Sequence, residues 1–425
     1  LDLNKNLWIL TATIFASAVG GGAIFGLTEK IYNGHIGYCY GLLLTIPIDL
    51  LIAKFLVPRL HHYKSATSIG DIIGAHYGKV PRIISGLSAA LISIGYLSAQ
   101  ISVSSVIFSS ILKIDGIYGI LASYAITITY ASFGGLRAIV LNNVVQFIAM
   151  ILAIPSLSFF SIYYISTHNI VTFDVISHYS NNTWTDTSIA FTSFAVMGLY
   201  PTLIQRILVG RSSVIITRAI YLKSLIYFIF ITFIAMNGIL GLILVPDSSA
   251  SLALTNLIDL VMPEGFKGFI AIGLLASVMS TADSDLNVAS ISLVNDVIKP
   301  IVPKNSKIIS RINLIFLAKL SSIMIGATSI LLVMKFKTII DIIIFAAGLW
   351  VPVTVIPLIG ILYGVALTDF AFCISAVVGI ICFLLAEAFL TPYIFSGIFI
   401  AFAISCIIFL LMWKVGWAQQ FSKKI

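Results

Sequence analysis

The chain has 425 residues, of which 60% are hydrophobic and only 9% are charged. Soluble domains carry roughly 25% charged residues, so this composition excludes a soluble globule and predicts a protein that resides in a lipid bilayer. The formal net charge of +8 does not indicate nucleic-acid binding, because the basic residues collect on alternate loops between apolar stretches.

Apolar stretches recur along the whole chain and reach the roughly 20 residues that a helix needs to cross the hydrocarbon core. We predict twelve membrane spans, at 7–28, 36–57, 81–112, 116–133, 143–166, 187–206, 219–245, 266–295, 309–334, 338–365, 368–389 and 391–413. No soluble domain or low-complexity linker interrupts them. Residues 1–425 are therefore expected to form one transmembrane domain.

The distribution of Lys and Arg predicts the orientation of these spans. Of the 24 basic residues, 18 fall on one side, 5 fall on the other, and Lys319 lies inside the ninth span. Positive residues favour the cytoplasm, so we expect a multi-pass protein of the cell (inner) membrane with both termini cytoplasmic. The chain begins with Leu rather than Met, and we expect that an N-terminal segment is missing.

The first and sixth predicted spans are each interrupted near mid-depth, by Gly20-Gly21-Gly22 and by Gly198 with Pro201. In hydrocarbon an interrupted helix persists only where its freed backbone groups are buried in protein or bind something. Breaks at corresponding positions of two halves are typical of transporters. The alternative is that Gly22 and Gly26 only form a helix-packing face, since Gly is common in membrane helices.

The second break falls five spans after the first, which predicts two repeats. Residues 1–166 would form the first repeat, 187–365 the second, and 366–425 two additional helices. An odd number of spans per unit leaves the second unit inverted in the membrane. We also predict a short interfacial helix near 68–77, because its apolar residues recur at helical spacing.

The eighth span is unusually rich in polar residues. Ser277, Ser280, Thr281 and Ser284 recur at intervals of three and four, so their oxygens lie on one helix face. Together with carbonyls freed where the first span unwinds, they could replace the hydration shell of a sodium ion. The alternative is that these hydroxyls bond their own helix or join neighbouring helices.

Four motifs, in order along the chain, resemble those of the sodium/solute symporters, which include the sodium/proline and sodium/pantothenate carriers. They are ASAVGG at 16–21, FGGLRA at 133–138 with Gln146, GLYPTLIQR at 198–206, and SVMSTADSDLN at 277–287 followed by Asn295-Asp296. The second of these resembles the turn before the fifth span. The resemblance implies an all-α, polytopic, leucine-transporter-type fold with five-plus-five inverted repeats and alternating access.

The resemblance also implies a set of sodium ligands between the first and eighth spans. They would be the carbonyls of Ala16, Val19 and Ser277 and the hydroxyls of Ser280 and Thr281. Two departures weaken the sodium coupling that the resemblance implies. Ala18 replaces a polar or acidic residue, and Asn143 replaces an Asp on the ion exit path, for which Asp283 and Asp285 are also candidates.

The solute site is expected between the broken first and sixth spans and the tenth span. Its predicted residues are Gly20, Gly21, Ser193, Met197, Gly198 and Trp350. Helix N-termini at a break favour a carboxylate, so an amino acid or carboxylate is expected. Ser193 and Met197 differ from the Trp and Tyr that resemblance to the proline carrier would predict. Trp350 is equally compatible with ordinary core packing. Asp49 is an intramembrane charge and so a functional candidate, with a position near an interface as the alternative.

The sequence therefore predicts a secondary transporter that couples a small organic solute to a cation, with sodium as the coupling ion and no other cofactor. A membrane enzyme is not supported, because HExxH, GxSxG and GxxxxGK[ST] motifs are absent from the sequence. Two alternatives remain open: a proton-coupled carrier, and a transporter-like sensor domain of a signalling protein. The oligomeric state is left open.

Overall fold

The computed structural model describes residues 6–110, 113–114, 116–170, 179, 183–302, 314–335, 338–365, 368–389 and 395–422. Across these ranges every regular element is a helix and no strand occurs. The side chain of Lys319 lies outside the described residues.

The α-helices are numbered in chain order. They are α1 Leu7–Ala18, α2 Gly21–Tyr32, α3 Gly37–Leu44, α4 Ile46–Leu51, α5 Val57–Leu60, α6 Ile69–Tyr77, α7 Lys79–Ser110, α8 Gly116–His168, α9 Thr183–Ala195, α10 Pro201–Val209, α11 Ser213–Leu244, α12 Ala253–Val261, α13 Glu264–Ile291, α14 Lys299–Ile301, α15 Leu314–Lys335, α16 Ile339–Trp350, α17 Ile356–Leu362, α18 Asp369–Phe389 and α19 Gly397–Ser422. Single π-helical segments join α4 to α5, α13 to α14 and α16 to α17.

Every predicted span overlaps at least one of these helices. In the part of the chain that the structure describes, eight helices are long and apolar enough to cross a membrane, or nine if the bent pair α1 and α2 counts as one span. The predicted fourth, sixth and ninth spans are not among these eight. The described apolar parts of the fourth and ninth are shorter helices, and the sixth is broken between Ala195 and Pro201. The all-helical membrane architecture is confirmed.

The predicted turn at 133–138 falls inside α8, which is assigned as helix from Gly116 to His168. The segment contains no Pro that would remove a backbone donor, and the side chains of 131–140 lie outside the description. Lys113 Nζ, just before α8, lies 3.8 Å from Asp259 Oδ2, and the Phe160 ring packs on Phe266 at 5.3 Å. Asp259 and Phe266 are only seven residues apart, so residues at the two ends of α8 lie near the same part of the chain, as a reversal between the fourth and fifth spans predicts.

Both predicted helix breaks are present. Helix α1 ends at Ala18 and α2 begins at Gly21, with the two axes bent by 54°. Val19 (φ −109°, ψ 87°) and Gly20 (φ −94°, ψ 177°) connect them in non-helical conformations. The second break separates α9, ending at Ala195, from α10, which begins at Pro201. Proline suits a first helical position because the N–H that it lacks would have no partner there.

Close packing fixes the broken first span against its neighbours. The Phe15 ring contacts Phe147 of α8 at 5.2 Å and Phe230 of α11 at 5.3 Å, both edge to face. On the third span, a Cβ on Gly95 would lie 2.1 Å from the Ala346 side chain of α16. Small residues of this kind let membrane helices approach each other closely.

The predicted short helix near 68–77 is confirmed as α6. Ser68 caps it by accepting a hydrogen bond from the Asp71 N–H at 3.2 Å, and Gly78 at φ +93° follows its last turn in the left-handed region that glycine adopts most readily. The Ser68 hydroxyl also donates to Asp296 Oδ1 at 2.6 Å. Helix α6 is thereby tied to the end of the eighth span.

Candidate cation and solute site

The oxygens predicted to bind a cation meet where α1 ends. Ser280 Oγ donates to the carbonyl of Ala16 at 2.8 Å and to that of Ser277 at 2.9 Å. Thr281 Oγ1 lies 3.4 Å from the same Ala16 carbonyl. Ser280 and Thr281 are 0% and 2% exposed. Four of the five predicted groups therefore converge on one buried point.

The break explains why the Ala16 carbonyl is available. In a continuous helix it would accept from the N–H of Gly20, but Gly20 has an extended backbone and lies outside α1. Val19 is buried within the break, and its N–H bonds the Phe15 carbonyl at 2.9 Å. The end of α1 thus directs backbone oxygen toward α13 and away from its own helix.

All four hydroxyls make the hydrogen bonds that the alternative reading describes, within their own helix or to a neighbouring helix. Ser277 Oγ donates to Leu274 and Ser284 Oγ to Ser280, both within α13. Ser280 and Thr281 reach across to α1. Carbonyl and hydroxyl oxygens are the ligands that hard cations prefer, so the convergent set suits a small cation.

A cavity lies beside this cluster, between the first, second, third, sixth and seventh spans. Its empty volume is about 680 Å³, part of it open to solvent. Among the predicted solute residues it includes Met197 and Gly198. The whole lining comprises Ile14, Ala18, Leu42, Thr45, Asp49, Ile52, Tyr96, Phe194, Met197, Gly198, Tyr200, Leu203, Ile220, Lys223 and Tyr227.

An ion pair occupies the wall of the cavity. Lys223 Nζ of α11 lies 2.6 Å from Asp49 Oδ2 of α4, and the two side chains are only 11% and 16% exposed. The Lys223 ammonium also lies over the Tyr227 ring, 4.9 Å from its centroid. Asp49 is thus a cavity residue, and its charge is compensated by a lysine from another span.

Two tyrosines complete the polar side of the cavity. The rings of Tyr96 and Tyr200 lie 6.4 Å apart. Tyr200 precedes Pro201 at the second break, so the cavity reaches the N-terminus of α10. The cavity therefore combines a cation, an anion and aromatic faces next to an interrupted helix.

Four of the predicted solute residues do not line this cavity. Gly20 and Gly21 face Thr281 and Val278 of α13, because the break packs against the eighth span. Ser193 is buried and its hydroxyl donates to Ile189 of its own helix at 2.8 Å. Trp350 is 0% exposed. The tenth span contributes nothing to the lining, and the second and seventh spans take its place.

Trp350 instead supports the second break. Its indole Nε1 donates to the carbonyl of Leu199 at 3.3 Å. That carbonyl belongs to the segment between α9 and α10, where the helical partner is missing. The structure therefore favours the alternative in which Trp350 packs in the core. Its indole also bonds the backbone of the second helix break.

The residues predicted for an ion exit path are all buried and line neither this cavity nor the smaller one near Pro201. Asn143 lies on α8, and Asp283 and Asp285 lie on α13. Asp285 Oδ1 accepts from Thr202 Oγ1 at 2.9 Å. Among the described residues, neither carboxylate oxygen of Asp283 has a hydrogen-bond partner.

Lys223 and Gln100 are site residues that sequence reasoning missed. Lys223 was counted among the loop charges, although it lies eleven residues into the apolar helix α11, and that position was the available signal. Gln100 is a single amide in an otherwise apolar and small-residue stretch of α7. A lone polar side chain at mid-span gives no periodicity to detect.

Comparisons with known proteins agree with this architecture. Residues 5–379 match the sodium:solute symporter family. An uncharacterized symporter of Cupriavidus necator is 32% identical over 152 residues, which are 34% of this chain and 20% of that relative. The chain thus spans about a fifth of the length of that relative.

Solved structures of transporters share the fold at low sequence identity. A Na⁺-coupled sialic acid symporter in a substrate-bound outward-open state has a TM-score of 0.79 at 18% identity, covering 96% of this chain and 90% of the other. MhsT in complex with L-phenylalanine has a TM-score of 0.62 at 16% identity, and the match covers 96% of this chain and 97% of MhsT. Mhp1, a nucleobase-cation-symport-1 family transporter, has a TM-score of 0.61 at 13% identity, and the match covers 96% of this chain and 91% of Mhp1.

These likenesses establish the leucine-transporter-type fold, and the family match covers most of the chain. The family match and the transporter structures indicate that the chain is a transporter and not an enzyme. The chain belongs to the sodium:solute symporter family, and its apolar helices are those of a multi-pass membrane protein.

Proposed function

We propose that sodium is the coupling ion and that it binds between α1 and α13. Its ligands are the carbonyls of Ala16, Val19 and Ser277 and the hydroxyls of Ser280 and Thr281. The observation that carries this proposal is the 2.8 Å contact from the Ser280 hydroxyl to the Ala16 carbonyl across the break. Sodium bound there ties the first span to the eighth, so its binding favours one arrangement of the two over others.

The solute is a small amino acid or carboxylate that binds in the cavity beside the break. The cavity is lined by apolar and aromatic side chains with a few polar groups, as small-molecule sites are. Lys223 supplies a donor for a carboxylate, and Asp49 supplies an acceptor for an ammonium group. A zwitterion satisfies both charges at once, whereas an uncharged solute leaves the pair to satisfy itself.

The transport cycle follows from the position of the two breaks. Residues 1–166 and 187–365 act as the two repeats, and 366–425 as additional helices. Both termini lie in the cytoplasm and the protein resides in the cell (inner) membrane. Cation binding completes the cavity, after which one group of helices rocks against the other.

Replacing Ser280 and Thr281 together by Ala tests the sodium site. The double variant should lose the thermal stabilisation that sodium chloride gives relative to choline chloride. It should also lose sodium-stimulated uptake in proteoliposomes. The uptake assay screens amino acids, short carboxylates, pantothenate and sugars as solutes. Ser277→Ala is the matched control, because it removes a hydroxyl that bonds Leu274 and keeps the ligand carbonyl. Sodium stabilisation that persists in the double variant removes this site from the mechanism.

Proton coupling is a second candidate, and Asp283 is the observation that favours it. Both oxygens of this buried carboxyl lack a hydrogen-bond partner among the described residues, and buried carboxyls within membranes serve as proton carriers. Uptake driven by a pH gradient without sodium, and abolished in Asp283→Asn, would support protons. Uptake that follows the sodium gradient alone would support sodium.

A further inference from the structure

The amide of Gln100 lies in the slot left by the three consecutive glycines of the first break. Gln100 belongs to α7 and is 1% exposed. A Cβ on Gly20 would lie 2.9 Å from both Nε2 and Oε1 of Gln100, and one on Gly21 or Gly22 would lie 3.4 Å from the same amide. Side chains at these positions would compete with the amide for space.

Gln100 serves as a cap for α2. The first N–H groups of a helix lack intrahelical partners, and a side chain at the N-cap residue usually accepts from one of them. The N-cap of α2 is Gly20, which has no side chain. Gln100 Oε1 accepts from the N–H of Gly22 at 3.4 Å, so the cap comes from another membrane span.

The same amide lies beside the candidate cation ligands. A Cβ on Gly20 would lie 2.5 Å from Thr281 Oγ1 as well as 2.9 Å from the Gln100 amide. Gly20 is therefore flanked by the eighth span on one side and the third span on the other. A change in the conformation of the break must move Gly20 relative to both.

We propose that Gln100 is a positioning residue for the cation site. By capping α2 it stabilises the broken conformation in which the Ala16 carbonyl faces Ser280 and Thr281. This inference rests on the proposed sodium function. When only a fraction of molecules holds the competent conformation, the apparent affinity falls by that fraction, so losing the cap weakens cation binding without removing a ligand.

A role in packing alone makes different predictions. A buried amide that only fills space is replaced by Leu or Met with a loss of stability that is independent of sodium. A capping acceptor is specifically restored by Gln100→Glu, which keeps an oxygen at the same reach. Ser98→Ala is the matched control on α7, because its buried hydroxyl bonds only its own helix, at Ile94.

The experiment compares Gln100→Leu, Gln100→Glu and Ser98→Ala with the wild type in nanodiscs. Sodium chloride is titrated against choline chloride, and the sodium concentration for half-maximal thermal stabilisation is measured. Hydrogen–deuterium exchange is followed at residues 19–25, with 197–204 at the second break as internal reference. Loss of one hydrogen bond corresponds to about a fivefold change, so Gln100→Leu should show about fivefold higher half-maximal sodium and about fivefold faster exchange at 19–25.

Restoration by Gln100→Glu, with Ser98→Ala unchanged, supports the inference. Wild-type sodium affinity and exchange in Gln100→Leu would overturn it, and so would a destabilisation that is equal with and without sodium. If the Leu variant does not fold, Gln100→Met takes its place.

Failure of the sodium function is a separate result. It is seen as no sodium stabilisation in the wild type, or as stabilisation that survives Ser280→Ala with Thr281→Ala. In that case the hydrogen–deuterium exchange at residues 19–25 still decides whether Gln100 caps α2. Exchange in Gln100→Leu that equals the wild type overturns the inference. Faster exchange in Gln100→Leu supports the part of the inference in which Gln100 caps α2.

Discussion

Substituting Gly20 by Ala tests the close approach between the first break and the cation ligands. The backbone of Gly20, at φ −94° and ψ 177°, is open to any residue, so the substitution introduces no dihedral strain. The obstacle is steric. The new Cβ would lie 2.5 Å from Thr281 Oγ1 and 2.9 Å from the Gln100 amide.

The size of the effect follows from these distances. An ordinary contact begins at 3.4 Å, so the Thr281 hydroxyl must retreat by about 0.9 Å, or the break must shift by a similar amount. Overpacking of this kind costs about 1–3 kcal/mol. If the shift falls on the cation-bound state, the sodium dissociation constant rises by about 5- to 150-fold, with about tenfold as the central expectation.

Sodium-dependent thermal unfolding measures this change. Stabilisation follows the logarithm of sodium concentration over its dissociation constant, so a tenfold weaker site displaces the curve by one decade. Gly268→Ala is the control, because no atom lies within 4 Å of its added Cβ on α13. It should leave sodium binding unchanged. An unaltered sodium curve in Gly20→Ala would refute the reasoning that joins the break to the ligands.

Three further outcomes are expected. Lys223→Met alone should lower the free energy of unfolding by about 3–5 kcal/mol because it strands the Asp49 charge, and Asp49→Asn in the same chain should recover most of it; strictly additive losses in thermal unfolding would contradict a coupled pair. Ser68→Ala should cost about 1–2 kcal/mol, since it removes a helix cap and a hydrogen bond to Asp296; equal unfolding temperatures would argue against this. Trp350→Phe should cost about 1 kcal/mol yet leave solute affinity unchanged, because Trp350 does not line the cavity; a large loss of uptake affinity would place it in the solute site after all.

Features that depend on local backbone chemistry could be predicted from sequence. Three consecutive glycines and the Gly198–Pro201 segment interrupt helices because glycine and proline weaken or remove helical hydrogen bonding. The cation cluster was also foreseeable, since Ser277, Ser280 and Thr281 recur at helical spacing and one helix face must present them together.

Pairings between distant spans could not be predicted in the same way. Asp49 and Lys223 are separated by 174 positions, and no periodicity links a residue of the second span to one of the seventh. Trp350 was placed at the solute because an aromatic on a helix near a break resembles a stacking surface. Its burial is decided by the packing of α16 against the rest of the bundle, which sequence spacing does not encode.

The turn expected at 133–138 from the family resemblance lies in a segment that is assigned as helix. Glycine accepts helical dihedral angles, so the two glycines there do not by themselves interrupt a helix. The reversal itself is real, since residues before and near the end of α8 meet Asp259 and Phe266.

The Asp49–Lys223 pair has an electrical consequence for the working protein. Its two charges cancel within the cavity wall. The membrane voltage therefore contributes little energy to conformational changes of the empty transporter that move this wall. Each unbalanced elementary charge that crosses the field involves about 2.3 kcal/mol per 100 mV. The electrical driving force then acts on the travelling ion, and neutralising Lys223 alone would make the unloaded step sensitive to voltage.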